Sequence, residues 1–319
     1  MPAPAEIAFD VASAIIRGKR EYQEDALASD FQVGSDFGFV VLSDGMGGHA
    51  AGDVASNIVV TEVFSELKLR GLDAHKPADG ITGILSNAAH SANQCIRDHT
   101  SANPATTGMG ATLIAPVLAK DKLYWVSVGD SPLYLFRDNK LSQLNQDHSL
   151  APQIDCMVRS GMMSESDGRN HPDRNCLTSA LLGEDIPQID CPENPVTLRP
   201  GDLVIAASDG LQYLSDAQIT GILAKRTGVD SATIAERLLS EIAELDDPHQ
   251  DNVCFTVIRV LDPKAQTAGR QKRRANGKRP RPESAGPAEP KTPKPERSPV
   301  AALSNVLGRL RFLYTGLLR

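Results

Sequence analysis

The chain has 319 residues, 41% of them hydrophobic, and carries a formal net charge of −7. This length allows one or two domains with a sizeable core. The five cysteines are scattered and form no C-x-x-C pair, which argues against a disulfide framework or a zinc site and favours a reducing cytosol. Residues 1–20 contain no uninterrupted apolar run after a basic start, so we expect no signal peptide and a cytoplasmic location.

The first predicted element is an edge strand over residues 7–16, which mix apolar and small side chains. A charged segment follows, in which Arg20 stands a few residues before the acidic pair Glu24 and Asp25. Each of these charged residues, taken alone, is compatible with an ordinary surface position.

The stretch that organises the chain runs from Phe37 to His49. Its apolar part predicts a buried strand that stops at Asp44, a glycine-rich turn begins at Gly45, and residues 54–64 then have helical spacing. The turn could be a tight connection without chemistry, a nucleotide-binding loop or a site for a hard metal ion. We reject the nucleotide loop, because Asp44 would repel a pyrophosphate and no G-K-[ST] follows. A metal site needs more oxygen ligands than Asp44 alone supplies.

Further elements follow in blocks of helices and blocks of strands. We predict a helix over 81–96, strands near 110–118 and 122–128, a hairpin turn at Asp138-Asn139, a short helix over 157–163, a loop over 164–170, a strand over 203–207, helices near 216–224 and 230–244, and a strand over 253–260. Grouping of this kind is typical of an α+β fold with antiparallel sheets and helices packed outside them.

Three more carboxylates lie at strand ends. Asp209 follows an apolar run in a second Ser-Asp-Gly sequence, Asp251 directly precedes a strand, and Asp130 ends another. Any one of them could be a surface residue that closes a loop. Their recurrence at strand ends, together with Asp44, favours a shared metal site.

At this point the sequence resembles a known family. The motifs are Arg20 with Glu24-Asp25, Ser43-Asp44-Gly45-Met46-Gly47-Gly48-His49, Gly108-Met109-Gly110-Ala111-Thr112, Gly129-Asp130-Ser131, Asn170 to Gly183, Ser208-Asp209-Gly210 and Asp251-Asn252. In this order they resemble the metal-dependent protein phosphatases of type 2C, in their bacterial form, from about residue 8 to residue 260. The resemblance implies a four-layer α-β-β-α sandwich with two central antiparallel sheets, and a flap at 146–175 beside the active site.

The resemblance also implies the residues of the site. Asp44 is expected to bridge two Mn²⁺ or Mg²⁺ ions, with the Gly45 carbonyl on one ion and with Asp209 and Asp251 on the other. The expected outer residues are Glu24 and Asp25, which hold metal-bound waters, and Asp130, which serves a third, weaker ion together with Asp209. We interpret Arg20 as the residue that binds the phosphate, the alternative being a surface arginine paired with an acid such as Glu21.

The function predicted from this resemblance is hydrolysis of phosphoserine and phosphothreonine in proteins phosphorylated by a serine/threonine kinase, through a metal-bridging hydroxide. The alternatives are a non-catalytic pseudophosphatase that binds phosphoproteins or partners and, less favoured, a phosphatase for small esters. Two positions depart from the family: Met46 replaces a histidine proposed as general acid in some members, and Pro132 replaces a common arginine. Water, His49 or another group is then left to protonate the leaving group.

The composition changes after Leu261. Residues 261–319 contain 14 Lys/Arg and four Asp/Glu, a net charge of +10, which leaves 19 basic and 36 acidic residues, a net charge of −17, for residues 1–260. We predict a phosphatase domain over 1–262, a disordered basic Pro-rich linker over 263–299 and an amphipathic helix over 300–319.

The role of this tail stays open at the level of sequence. For the basic cluster at 270–281 we favour simple solvation, or contact with the acidic domain, over binding to anionic lipid or nucleic acid, and we expect no specific nucleic-acid partner. The 300–319 helix fits the surface of the inner membrane, a partner groove or its own domain, and two internal arginines argue against a membrane span. We expect a monomer.

Overall fold

The structure is a computed structural model, and it describes residues 7–32, 35–47, 51–69 and 80–262. The strands in these ranges are β1 (Ala8–Ile16), β2 (Asp25–Phe31), β3 (Phe37–Met46), β4 (Gly110–Ala111), β5 (Leu113–Ala119), β6 (Lys122–Val128), β7 (Leu133–Arg137), β8 (Lys140–Gln143), β9 (Val196–Thr197), β10 (Leu203–Ala207) and β11 (Val253–Leu261). The α-helices are α1 (Ala51–Leu69), α2 (Ile81–Ala102), α3 (Ala151–Arg159), α4 (Glu165–Arg169), α5 (Asp216–Ala224) and α6 (Ser231–Glu244). Short 3₁₀ turns cover Pro104–Thr106 and Asp209–Tyr213.

The strands form two antiparallel sheets. One has the order β1-β11-β10-β7-β8, and the other has the order β2-β3-β5-β6-β9, with β4 paired to β3. The predicted edge strand is confirmed, because β1 lies at the end of its sheet.

Strand β3 shows why its sequence is a continuous apolar run. Phe39 and Val41 pack in a cluster with residues of α1 and α2, whereas Val40 and Leu42 pack in a cluster with residues of the other sheet. Since successive side chains of a strand point to opposite faces, a strand buried on both faces needs apolar residues at every position. The organising stretch of the sequence is therefore a central, doubly covered strand.

Three apolar clusters separate four layers. One lies between the β2-β3-β5-β6-β9 sheet and helices α1 and α2, one lies between the two sheets, and one lies between the β1-β11-β10-β7-β8 sheet and helices α5 and α6. The predicted α+β, four-layer α-β-β-α sandwich is confirmed.

The hairpin between β7 and β8 turns where the sequence predicted. Asp138 and Asn139 have φ values of 51° and 59°, the left-handed conformation that both central residues of a type I′ turn adopt. Asp and Asn tolerate this conformation better than most residues, so the two-residue connection fits the twist of the strands.

Two local predictions in the 146–175 region were wrong. The helix expected over 157–163 is α3, which spans Ala151–Arg159 and carries a proline in its first turn, where the missing N–H costs nothing. The loop expected over 164–170 contains helix α4, capped by Ser164, whose side chain accepts a hydrogen bond from the Asp167 backbone N–H. A Ser followed three residues later by Asp is a helix-start signal that outweighed the polar composition of the segment.

The predictions for the 263–299 linker, the 300–319 helix and His49 fall outside the described residues. In the part of the chain that the structure describes, none of the helices has the length and apolar character that crossing a membrane requires. All five cysteines lie within the described residues, and each is a free thiol.

Candidate metal centre

Asp44 is fixed by the strand that carries it. Its backbone N–H donates to Thr112 Oγ1 at 3.0 Å, and its carbonyl accepts from the Thr112 N–H at 2.8 Å. In the β2–β3 pairing Asp44 lies directly opposite Asp25. Burial, and then the negative charge of Asp25, raise the pKa of Asp44 well above its ordinary value. This carboxylate therefore occupies a place where a nearby positive charge is strongly favourable.

Gly45 brings the backbone close to two neighbouring segments. Its N–H donates to the Glu24 carbonyl at 3.0 Å, and a Cβ at this position would lie 1.9 Å from the Gly52 carbonyl oxygen. Only glycine fits such an approach. The segments that carry Glu24, Asp44 and the start of α1 consequently meet at one point.

Asp209 and Asp251 come from adjacent strands of the other sheet. Asp209 begins the 3₁₀ turn after β10, and Asp251 directly precedes β11, the antiparallel partner of β10. The Asp251 backbone N–H donates to the Tyr213 hydroxyl at 3.2 Å. Burial and the charge of Asp251 raise the pKa of Asp209, while a hydrogen bond with Asp44 acts in the opposite direction. Asp44 and Asp209 are thus close enough to influence each other's pKa across the two sheets.

Arg20 lies in the same cleft as these carboxylates. Its guanidinium Nη2 pairs with the Asp251 carboxylate, and its side chain is 53% exposed. The acid that pairs with Arg20 in the structure is therefore Asp251 and not Glu21. The cation that we expected to bind phosphate therefore stands beside a predicted metal ligand.

The outer carboxylates surround this group. Asp25 accepts a hydrogen bond from Ser208 Oγ at 2.8 Å, and burial raises the pKa of Asp25 to about 7. Burial, followed by the charge of Asp209, raises the pKa of Asp130 to about 7 as well. Burial also raises the pKa of Glu24. The predicted site residues are brought together, and none of the eight is placed elsewhere.

Asn252 also belongs to the site, and its structural role was not predicted from the sequence. Its side-chain N–H groups donate to the carbonyls of Arg17 at 2.8 Å and Tyr22 at 3.0 Å, and its Oδ1 accepts from the Glu24 N–H at 2.7 Å. These three bonds hold the segment that carries Arg20 and Glu24 against the start of β11. Its position after Asp251 in a motif was the available signal, but nothing in the sequence predicted its partners.

The donor set fits hard divalent cations. The cleft has a volume of about 800 Å³, and its lining includes Arg20, Glu24, Asp44, Gly45, Asp130, Asp209 and Asp251. These groups offer carboxylate and carbonyl oxygens, the ligands that Mg²⁺ and Mn²⁺ prefer. Among the described residues, no three His, Cys, Asp or Glu side chains are arranged to enclose one ion by themselves. An ion here would complete its shell with backbone oxygen and water, as Mg²⁺ usually does.

Comparison with known proteins agrees with this geometry. The family described as Protein phosphatase 2C matches residues 15–242. The chain belongs to the protein phosphatase 2C family. Its resemblance to the type 2C phosphatases, stated above from motifs, is thereby confirmed.

Bacterial serine/threonine phosphatases are among its relatives. The serine/threonine phosphatase stp of Listeria welshimeri is 31% identical over 229 residues, which cover 72% of this chain and 84% of that protein. The serine/threonine protein phosphatase PstP of Mycobacterium tuberculosis is 33% identical over 227 residues, 70% of this chain but only 40% of PstP. The match therefore spans less than half the length of that relative.

Solved structures show the same protein phosphatase 2C fold. The crystal structure of the M. tuberculosis phosphatase PstP superposes with a TM-score of 0.65 at 30% identity, covering 80% of this chain and 99% of that one. A second structure, the PstP catalytic domain in complex with two manganese ions, gives a TM-score of 0.64 at 30% identity and covers 80% of this chain and all of that one.

Proposed function

We propose that this protein is a Mn²⁺- or Mg²⁺-dependent phosphatase that hydrolyses phosphoserine and phosphothreonine in proteins. The observation that carries the proposal is the convergence of Asp44, Asp209 and Asp251 with Arg20 in one cleft, although they are far apart in the sequence. The two manganese ions bound by the related PstP domain support the same metal chemistry. A complete carboxylate set also argues against the pseudophosphatase alternative.

The residues that would hold the ions are proposed from the family resemblance, and their shared cleft supports the assignment. Asp44 would bridge two ions, the Gly45 carbonyl would bind one, and Asp209 and Asp251 would bind the other. Two such ions, when bound, neutralise phosphate charge and supply an activated water near neutral pH. Asp130 lies next to Asp209 and would help to hold a third, weaker ion.

The side chains around the ions have distinct tasks. Arg20 binds two phosphate oxygens with its planar guanidinium, in place of its pairing with the Asp251 carboxylate. Glu24 and Asp25 accept hydrogen bonds from waters in the cleft, and Ser208 orients Asp25 for this purpose. Met46 lines the cleft but carries no transferable proton, so the proton for the leaving group comes from elsewhere.

The substrate that we propose is a protein phosphorylated by a serine/threonine kinase, with the enzyme acting as a monomer in the cytoplasm. We further propose that the 146–175 region influences substrate choice, because the residues that follow it line the cleft. The tail after residue 262 is proposed to bring the enzyme to a membrane surface or a partner protein through its 300–319 segment, the alternative being contact of this segment with its own domain.

The test is hydrolysis of p-nitrophenyl phosphate and of a phosphothreonine peptide, each with Mn²⁺ and with EDTA. We expect turnover of both substrates only with Mn²⁺. Asp209→Asn should lower kcat/KM by about 100-fold or more. Asp98→Asn, an exposed carboxylate on α2 away from the cleft, is the matched control. Turnover that resists EDTA, or an Asp209→Asn variant as active as the control, would contradict the proposal.

A further inference from the structure

The cleft extends well beyond the carboxylates. One of its walls is the loop of residues 182–185, here called the 182–185 loop, from which Leu182, Glu184 and Asp185 contribute to the lining. The cleft volume of about 800 Å³ is much larger than one phosphate group needs. The remaining space is continuous with the metal centre, so it receives whatever part of the substrate is attached next to the phosphate.

The backbone of the 182–185 loop is anchored to helix α2. The Gly183 N–H donates to Asn93 Oδ1 at 2.8 Å, Asn93 Nδ2 donates to the Glu184 carbonyl at 2.6 Å, and Arg97 Nε donates to the Gly183 carbonyl. Gly183 has a φ of 79°, and a Cβ there would lie 2.8 Å from Arg97 Cα. The loop is therefore a preformed surface, and a ligand binding to it does not have to order it first.

An apolar side chain of this loop is left partly exposed in the cleft. Leu182 is 43% exposed, and its side chain covers Gly110, since a Cβ on Gly110 would lie 2.3 Å from Leu182 Cδ2. Gly110 pairs with Met46, two residues after Asp44 on β3. Leu182 thus lies beside the strand end that carries the metal ligands, and its exposed area gains free energy when an apolar group covers it.

The two acids of the loop set its charge. Glu184 and Asp185 are both exposed, and in the described part of the chain neither side chain takes part in an ion pair. A carboxylate of this kind repels an acidic side chain and attracts a lysine or arginine within a few ångströms. The wall beside the metal centre therefore presents an apolar contact followed by negative charge.

We propose that the 182–185 loop selects phosphorylated protein segments in which an apolar and a basic side chain flank the phosphorylated residue. The apolar side chain packs on Leu182, and the basic side chain pairs with Glu184 and Asp185. The proposal rests on the phosphatase function above and adds the class of sequence that it acts on. Leu182, Glu184 and Asp185 are specificity-determining residues that touch the polypeptide and not the reacting atoms.

Four phosphothreonine peptides test the proposal. Each peptide has the same pair of residues before and after the phosphothreonine: Leu and Arg, Leu and Glu, Ser and Arg, or Ser and Glu. Because the pair stands on both sides, the test does not depend on the direction in which the peptide binds. We expect kcat/KM to be highest for Leu-Arg and about tenfold lower for Leu-Glu, a difference that shrinks with added salt. The double variant Glu184→Gln, Asp185→Asn should remove the preference for Arg, and Leu182→Ser should remove the preference for Leu.

Two controls separate specificity from folding and from the chemistry itself. Glu193→Gln, an exposed acid outside the cleft lining, should keep both preferences. Hydrolysis of p-nitrophenyl phosphate by the double variant should equal that of the wild type, because this substrate has no flanking residues. Unchanged peptide preferences in the loop variants, with p-nitrophenyl phosphate turnover intact, would overturn the proposal and leave the phosphatase function standing. Absence of p-nitrophenyl phosphate turnover in the wild type would overturn both.

Discussion

Individual residues of the metal centre are held by partners from distant segments. Ser208 donates a hydrogen bond to Asp25, and Thr112 is hydrogen-bonded to the backbone of Asp44. Asn252 connects the segment that carries Arg20 to the start of β11. Each of these polar groups is buried, so each loses free energy if its partner is removed. These bonds hold the segments that carry the negative charges close to one another.

Gly45 is the position where a single added carbon should do the most harm. Because the Cβ of Gly45→Ala would lie 1.9 Å from the Gly52 carbonyl oxygen, the strand end and helix α1 must move apart. We expect a loss of about 2–4 kcal/mol in the free energy of unfolding, with loss of Mn²⁺-dependent activity.

The control for Gly45→Ala is a second glycine-to-alanine change, to be measured by the same urea denaturation. Gly221 lies in helix α5 with nothing within 4 Å of the added carbon. Gly221→Ala should therefore stabilise the protein by about 0.5–1 kcal/mol, because alanine favours a helix. A Gly45→Ala variant as stable and active as Gly221→Ala would contradict the geometry of the site.

The buried carboxylates predict how pH affects the metal-free protein. The pKa values of Asp25 and Asp130 are about 7 in the folded chain, against an ordinary 3.8, so the folded chain binds more protons than the unfolded chain between these values. The stability from these protons is fully present below about pH 4 and is lost as pH rises through about 7. In EDTA, the Tm of the wild type should therefore fall when the pH is raised from about 5, inside this range, to about 8, above it.

Asp130→Asn tests whether this pH dependence comes from the cleft. The amide does not titrate, so the fall in Tm across the same pH range should be smaller in the variant than in the wild type. Mn²⁺ favours the charged carboxylates and should raise the wild-type Tm most at the alkaline end. A pH dependence in EDTA that is the same for Asp130→Asn and wild type would contradict the raised pKa of Asp130.

At the scale of elements, the 146–175 region is connected by its own contacts. The Arg174 guanidinium donates to both carboxylate oxygens of Asp155 on α3, at 2.7 and 3.1 Å. Because both partners are partly exposed, Arg174→Ala should change the free energy of unfolding by less than about 1 kcal/mol. Local opening of residues 151–174 should nevertheless become easier, which hydrogen exchange of these amides measures.

The control for Arg174→Ala is Arg169→Ala, which removes a more exposed ion pair with Glu165, four residues earlier on α4. It should leave exchange of α3 unaffected, because it does not connect α3 to the segment that follows α4. Equal exchange in the two variants would show that the Arg174–Asp155 contact does not hold the region together.

Elements with a strong local signal could be predicted from the sequence. Helix α5 has the predicted bounds. The Asp138-Asn139 turn could be predicted because Asp and Asn are among the few residues that adopt a positive φ readily. The 146–175 region was predicted less well, because the composition of the segment obscured two local signals: Pro152 in the first turn of α3 and Ser164 as the cap of α4. The strand-end pattern indicated Asp44, Asp130, Asp209 and Asp251, and the family resemblance implied the other four predicted site residues. Asn252 was missed because its role depends on partners distant in sequence.

At the scale of the whole molecule, the charge is divided between two parts of the chain. Residues 1–260 carry a net charge of −17 and residues 261–319 carry +10. All eight predicted site residues lie between Arg20 and Asp251, so the chemistry should not need the basic part. This division also explains why the overall charge of −7 gave little information about partners.

Deletion of residues 263–319 should leave Mn²⁺-dependent hydrolysis of p-nitrophenyl phosphate unchanged. Co-sedimentation with anionic liposomes should be lost, because the basic and apolar residues of the tail are removed together. Liposomes of neutral lipid are the control for the electrostatic part. Binding of the shortened chain to anionic liposomes at the level of the full chain would contradict the proposed membrane role of the tail.

The arrangement of four carboxylates from two sheets around divalent ions is tested most directly by anomalous X-ray scattering from Mn²⁺-soaked crystals. The account predicts two strong manganese peaks, about 3.5–4 Å apart. They should lie between Asp44 and the pair formed by Asp209 and Asp251, with one peak beside the Gly45 carbonyl and a weaker third peak beside Asp130. Manganese bound elsewhere in a crystal of active enzyme, with these carboxylates unligated, would contradict it.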